Sequence, residues 1–131
     1  MAHQRLNLQN LRIDEQGYLK ICEGGQAYIT QMSLHKTLDF VSPEMVSDPK
    51  SYHQSCVIKQ VDWWAVGCLM YRLAYGQTPF WHPDVRQMGR KILKEEVSFP
   101  KLEGGMLFSD QFRDLIKQCL SKDSEQRYGF H

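Results

Sequence analysis

The 131-residue sequence has little of what assigns a chain to a function class at sight. Its four cysteines, Cys22, Cys56, Cys68 and Cys119, are scattered, with no C-x-x-C pair. That spacing gives no disulfide framework of the small secreted kind and no paired-cysteine zinc site. His53 stands three residues before Cys56, but a tetrahedral site needs a second pair at similar spacing, so this stretch reads as a surface loop. No apolar run reaches bilayer length; the longest is around "WWAVGCLMY", and Met1 is not followed by a secretory signal pattern. The formal net charge is only +1 and no basic or acidic run stands out, so neither nucleic acid nor a membrane is expected as partner. Internal repeats and low-complexity tracts are absent too. These absences leave an intracellular protein, read as cytoplasmic.

What is present is the composition of a globular protein, 42% hydrophobic and 24% charged, enough for a single core in a single domain over residues 1–131. "LRIDEQGYLKI" (Leu11 to Ile21) predicts a β-hairpin, two short apolar runs joined by a turn containing Asp14 and Gly17. The stretch from Glu23 to Glu44 keeps neither the strand nor the helix period and reads as a long ordered loop. "MVSDPKSYHQSCVIKQ" predicts a short helix and then a polar insertion. Asp62 is placed to cap the strongest helix, "DWWAVGCLMYRLAYG", with Gly76 and Pro79 as its stop. That helix is apolar nearly all round, the mark of one buried in the middle of a larger fold. "HPDVRQMGRKILKEE" predicts an exposed amphipathic helix with Asp84 near its start, and Ser109 should cap a third, "DQFRDLIKQCLSK". The expected fold is mostly α with an N-terminal hairpin.

Taken together, these segments resemble the large lobe of a protein kinase, closest to the cAMP-dependent and related basophilic (AGC-type) serine/threonine kinases. The family's catalytic loop reads HRDLKPEN, and "HQRLNLQN" (residues 3 to 10) matches it in register. Glu23-Gly24-Gly25 falls where the family has DFG, and Ser42-Pro43-Glu44 stands for APE. "VDWWAVG" is close to VDWWALG, and "SEQRYG" resembles the stretch whose arginine pairs with the APE glutamate. The departures are a longer insert between Glu44 and Asp62 and a shorter activation segment. The resemblance implies an α+β parent fold of which this is a partial domain, from the catalytic loop to just before the last helix. It also implies that the small lobe, with its Gly-rich loop and ATP-anchoring lysine, is missing.

The family's activity is ATP-dependent and needs Mg²⁺, and the resemblance lets each position be tested against that chemistry. Arg5 stands at the place of the catalytic aspartate, and a guanidinium cannot accept a proton at working pH. Asn7 replaces the loop lysine. Asn10 matches the asparagine that holds a second Mg²⁺, and on its own residue type reads as a turn residue bonding its own backbone. Glu23 replaces the DFG aspartate, either a loose metal ligand or a solvated loop acid; Gly24 removes the aromatic that would stack on His3. Arg12 replaces the leucine under adenine, where it would face an apolar pocket unpaired or swing to solvent. Gln9 and Arg72 replace the two glutamates that hold substrate arginines, and Ser33 aligns with the activation-loop phosphosite, whose arginine partner is here Gln4.

The scaffold residues are kept. Asp62 matches the aspartate that ties the buried helix to the catalytic loop. Glu44 and Arg127 match the family's ion pair, although by residue type alone they are also two surface charges. Thr37, Ser42 and Pro43 keep the substrate-facing loop. The resulting expectation is a pseudokinase fragment with no cofactor, acting, if at all, as an interaction module for a protein partner. The alternative is a partial product of a working kinase of the cAMP-dependent type.

Overall fold

The computed structural model describes residues 3, 6–22, 38–48 and 55–129, with residues 55–58 described as backbone. A 3-10 turn, Leu8–Asn10, leads into a two-stranded antiparallel sheet, β1 Leu11–Ile13 and β2 Leu19–Ile21. Among the described residues the α-helices that follow are α1 Pro43–Ser47, α2 Ser55–Tyr75, α3 Val85–Lys94 and α4 Asp110–Cys119. The fold is thus mostly helical with an N-terminal hairpin, as in the large lobe of a kinase.

Local chemistry accounts for the hairpin. The Asp14 carboxylate accepts from the amides of Gln16 and Tyr18, and Gly17 supplies the positive φ of 87° that closes the turn. The register pairs Leu11 with Ile21 and Ile13 with Leu19, so the aliphatic residues share one face and Arg12 and Lys20 the other.

The helix ends expected from the sequence at Gly76, Asp84 and Ser109 are present. The Gly76 amide, at φ 81°, bonds the Arg72 carbonyl at 2.8 Å. Asp84 accepts from Arg86 N at 2.7 Å, and Ser109 from Phe112 N at 3.2 Å. The expected start of the long helix is corrected. α2 begins at Ser55, seven residues before Asp62, so part of the supposed polar insertion is helix. Asp62 lies inside the helix and cannot cap it, and its carboxylate instead accepts a distant amide, that of His3. The added turns carry Gln60 and Val61, both buried, which a reading of local polarity does not reveal.

The core forms where α2 meets α3 and α4. Trp64, Cys68, Tyr71, Phe80, Met88, Ile92, Ile116 and Leu120 make one cluster. Gly67 permits the close approach of α4: a Cβ there would stand 2.8 Å from that of Cys119. Aromatic contacts extend the cluster from Tyr71 through Tyr75 to Phe99 and Phe108, and the Tyr71 hydroxyl donates to the Ser98 carbonyl. A smaller cluster, Leu6, Ala65 and Leu69, fixes the loop before the hairpin onto α2. Burial in these clusters pushes the Cys68 thiol well up and the Cys119 thiol to about 11, so both act as inert apolar groups.

Lys122 sits at the edge of the core with its Nζ 3.7 Å from the Phe80 ring centroid and 4.9 Å from that of Trp64. Burial pulls its amine down to about 8, against the pull of Glu96 and of the two ring faces, which favour the cation. The unfolded chain therefore holds this proton above pH 8, where the folded chain has lost it, so this group adds stability as pH rises from about 8 towards 10.5. Relative to Lys122→Met, the wild type should gain on the order of 1 kcal/mol over that interval, after allowance for screening, in urea melts at stepped pH.

A second expectation has the opposite sign from most core substitutions. Ser42, at 0% exposure, precedes α1 without capping it, and its hydroxyl has no hydrogen-bond partner among the described groups. Ser42→Ala removes that desolvated hydroxyl without opening a large cavity and should raise stability by about 1 kcal/mol, read as a higher urea midpoint.

Candidate functional site

The loop matched to the catalytic loop is held at three points. The His3 amide donates to Asp62 Oδ2 at 2.6 Å, which ties the loop to α2. His3 Nε2 donates to the Cys22 carbonyl at 3.1 Å, and the Cys22 amide donates to the Asn10 carbonyl at 2.8 Å. Leu6, buried against Ala65 and Leu69, anchors its middle. His3, Asn10 and Asp62 are thus brought to one place by the hairpin and the middle of α2.

The side chains of Asn7 and Arg12 are engaged in the turns of this segment. Asn7 caps the Leu8–Asn10 turn, its side-chain oxygen accepting from Gln9 N at 2.8 Å. The Asn10 amide donates to the Asn7 carbonyl at 3.1 Å. Arg12 is exposed, and its guanidinium donates to the carbonyls of Gln9 at 2.8 Å and Leu11 at 2.9 Å. Of the two outcomes open to Arg12 in the sequence, a guanidinium facing an apolar pocket unpaired is therefore overturned. The backbone carbonyls of the turn supply its partners, which makes exposure the cheaper placement.

A second assembly lies across α2. Arg127, 2% exposed, donates from Nη1 to Glu44 Oε1 at 2.6 Å and from Nη2 to Glu44 Oε2 at 2.9 Å. It also donates from Nη1 to the Gln60 carbonyl at 2.9 Å and from Nε to that of Ser121 at 3.0 Å. One guanidinium thereby joins α1, α2 and the segment after α4, while its carbon lies 5.2 Å from the Trp64 ring centroid. Pro43 is buried at the first position of α1.

Arg72 faces a cleft at the end of α2. Its Nη1 stands 3.7 Å from Asp39 Oδ2, across a gap of 33 residues (72 minus 39) in the chain. Nothing local in the sequence singles out Asp39, Thr78 or Trp81, which line the same cleft. The one signal is Arg72 itself, a charge amid the apolar residues of the last turns of α2 that calls for a counter-ion. Among the described residues no three His, Cys, Asp or Glu side chains are grouped to hold a metal, and no helix is long and apolar enough to cross a membrane. Gln4, Arg5, Glu23, Gly24, Gly25, Ser33, Thr37, His53 and the side chain of Cys56 lie outside the described residues.

Comparison with known proteins agrees with this geometry. The protein kinase domain family matches residues 1–131, and the chain belongs to that family. A probable serine/threonine-protein kinase of Dictyostelium discoideum is 33% identical over 135 residues, covering 98% of this chain and 27% of that protein. The cAMP-dependent protein kinase type 3 of Saccharomyces cerevisiae is 32% identical over 98% of this chain and 30% of its own length. The RAC-beta serine/threonine-protein kinase of Homo sapiens is 30% identical over 98% and 26%. The latter two are AGC-type serine/threonine kinases, and the chain spans between a quarter and a third of the length of all three relatives.

Proposed function

We propose that this chain keeps the kinase scaffold without phosphoryl transfer and serves as a docking module for another protein. The observation that carries the reading is the contrast between two sets of residues. Those joining elements, Glu44 with Arg127 and His3 with Asp62, are hydrogen-bonded across the fold. Those at the family's chemical positions are turned to local use, Asn7 as a turn cap and Arg12 as a clasp on the turn's carbonyls. Arg5 at the position of the base supports the same reading, because its side chain has donors and no acceptor.

Two of the described residues do not fit ATP. The phosphate-contacting lysine is replaced by a neutral amide that already accepts a backbone bond, and the apolar floor for adenine by a cation. The reading therefore includes no cofactor, no phosphorylated substrate and a protein partner.

Transfer of labelled phosphate from Mg-ATP to a mixed-substrate protein is the test. No turnover above the no-protein blank is expected, either in the wild type or in Arg5→Asp, since the lysine remains absent. Turnover that disappears in Arg5→Ala would overturn the reading. The relatives' names favour a second reading, a section of a working serine/threonine kinase. It requires turnover once a Gly-rich loop and an anchoring lysine are supplied by further chain.

A further inference from the structure

A cleft of about 460 Å³ opens between the Leu8–Asn10 turn, the Asp39–Phe40 segment and the stretch from Arg72 to Trp81. Three features give it a chemical preference. Arg72 has five N–H donors, and its guanidinium's sole described partner is Asp39 at 3.7 Å, beyond hydrogen-bonding distance. The Arg72 side chain is 38% exposed and that of Asp39 only 12%, so at the mouth of the cleft the cation is open and the carboxylate covered. Thr78, 3% exposed, lines the same cleft with a hydroxyl that has no hydrogen-bond partner among the described groups. Trp81 stands half-exposed on the rim, a large flat apolar surface beside the charge.

We propose that this cleft docks an acidic peptide segment, with a Glu or Asp side chain on the Arg72 guanidinium and a neighbouring aliphatic residue on Trp81. The proposal rests on the reading of the chain as a docking module, which makes the ligand a stretch of another protein. Charge complementarity selects its sign. An underused guanidinium in a partly desolvated setting gains two parallel hydrogen bonds from a carboxylate. A lysine or arginine side chain brought to the same place would meet the exposed cation first. The weak Asp39 contact keeps Arg72 oriented towards the cleft at small cost when a better-placed carboxylate arrives.

The test is fluorescence anisotropy on the full chain, without nucleotide, using labelled ten-residue peptides that alternate leucine with glutamate, glutamine or lysine. The glutamate peptide should bind at least tenfold more tightly than the glutamine peptide, and the lysine peptide more weakly than either. Arg72→Gln should erase the difference between glutamate and glutamine peptides, and Arg72→Lys should keep part of it. The Arg72 side chain is partly exposed at the end of α2, and matching thermal midpoints for the two variants and wild type serve as the folding control. Equal binding of glutamate and glutamine peptides, no binding at all, or a preference that survives in Arg72→Gln would overturn the proposal. Because no nucleotide is present, this outcome is separate from phosphate transfer: turnover would sink the docking-module reading without altering the measured peptide preference.

Discussion

Arg127→Ala should cost about 3–5 kcal/mol of folding stability, among the largest losses expected from a single side chain in this fold. A domain of this size holds only about 5–15 kcal/mol in total, so the variant should lose a large share of its stability. The cost comes less from the lost attraction than from what is left behind. The Glu44 carboxylate, 17% exposed, would lose both partners at once, and the carbonyls of Gln60 and Ser121 would each lose a donor. Arg127→Lys should recover little, because an ammonium cannot reproduce the two parallel bonds to Glu44 while also reaching the two carbonyls. Urea denaturation followed by circular dichroism gives the shift directly. A double-mutant cycle with Glu44→Gln isolates the pair, and the two losses should fall well short of adding. A loss under 1 kcal/mol in Arg127→Ala would show that the contact is a surface ion pair in effect.

The second large effect is expected at Trp64. Its ring is fully buried, stacks on Phe80 with centroids 5.6 Å apart, and lies beneath the cations of Lys122 and Arg127. Trp64→Ala should cost about 3–5 kcal/mol through lost burial and the cavity left between α2 and the segment after α4. Trp64→Phe keeps an aromatic face for both cations and should lose roughly half as much. The cations make this site differ from an ordinary apolar cavity. Burial is the main cause of the low Lys122 amine, so the cavity left in Trp64→Ala should admit water and let it titrate higher, towards the ordinary lysine value. A rise in the lysine's titration midpoint, followed by NMR of its side chain in Trp64→Leu, would test that. An unchanged midpoint would show that groups other than the ring keep water from the amine.

Where a structural signal is local, it could be read from the sequence. The Asp14 turn, the Gly76 stop and the Asp84 and Ser109 caps all lie within four residues of the groups they bond, so residue type and spacing suffice. Asp62 was misread as a cap for the same reason. An aspartate before an apolar run looks identical whether its carboxylate bonds the next turn or an amide 59 residues away. The true start of α2 was hidden because Gln60 is buried by the fold and not by any periodic pattern. The ring faces beneath Lys122 and the pairing of Arg72 with Asp39 join residues distant in the chain, and no spacing rule reaches them. Glu44 and Arg127 stand 83 residues apart and were singled out by resemblance alone; their geometry is a product of tertiary packing. For Arg12, the sequence left two placements open, and the nearby turn carbonyls decided between them.

Nucleotide binding is the sharpest check on the proposal that the scaffold has been kept without its phosphate chemistry. Thermal unfolding of the purified chain, with and without millimolar Mg-ATP, should give the same midpoint, since Asn7 and Arg12 offer the nucleotide neither a phosphate contact nor an adenine floor. A rise of several degrees with Mg-ATP, absent with Mg²⁺ alone, would overturn that proposal.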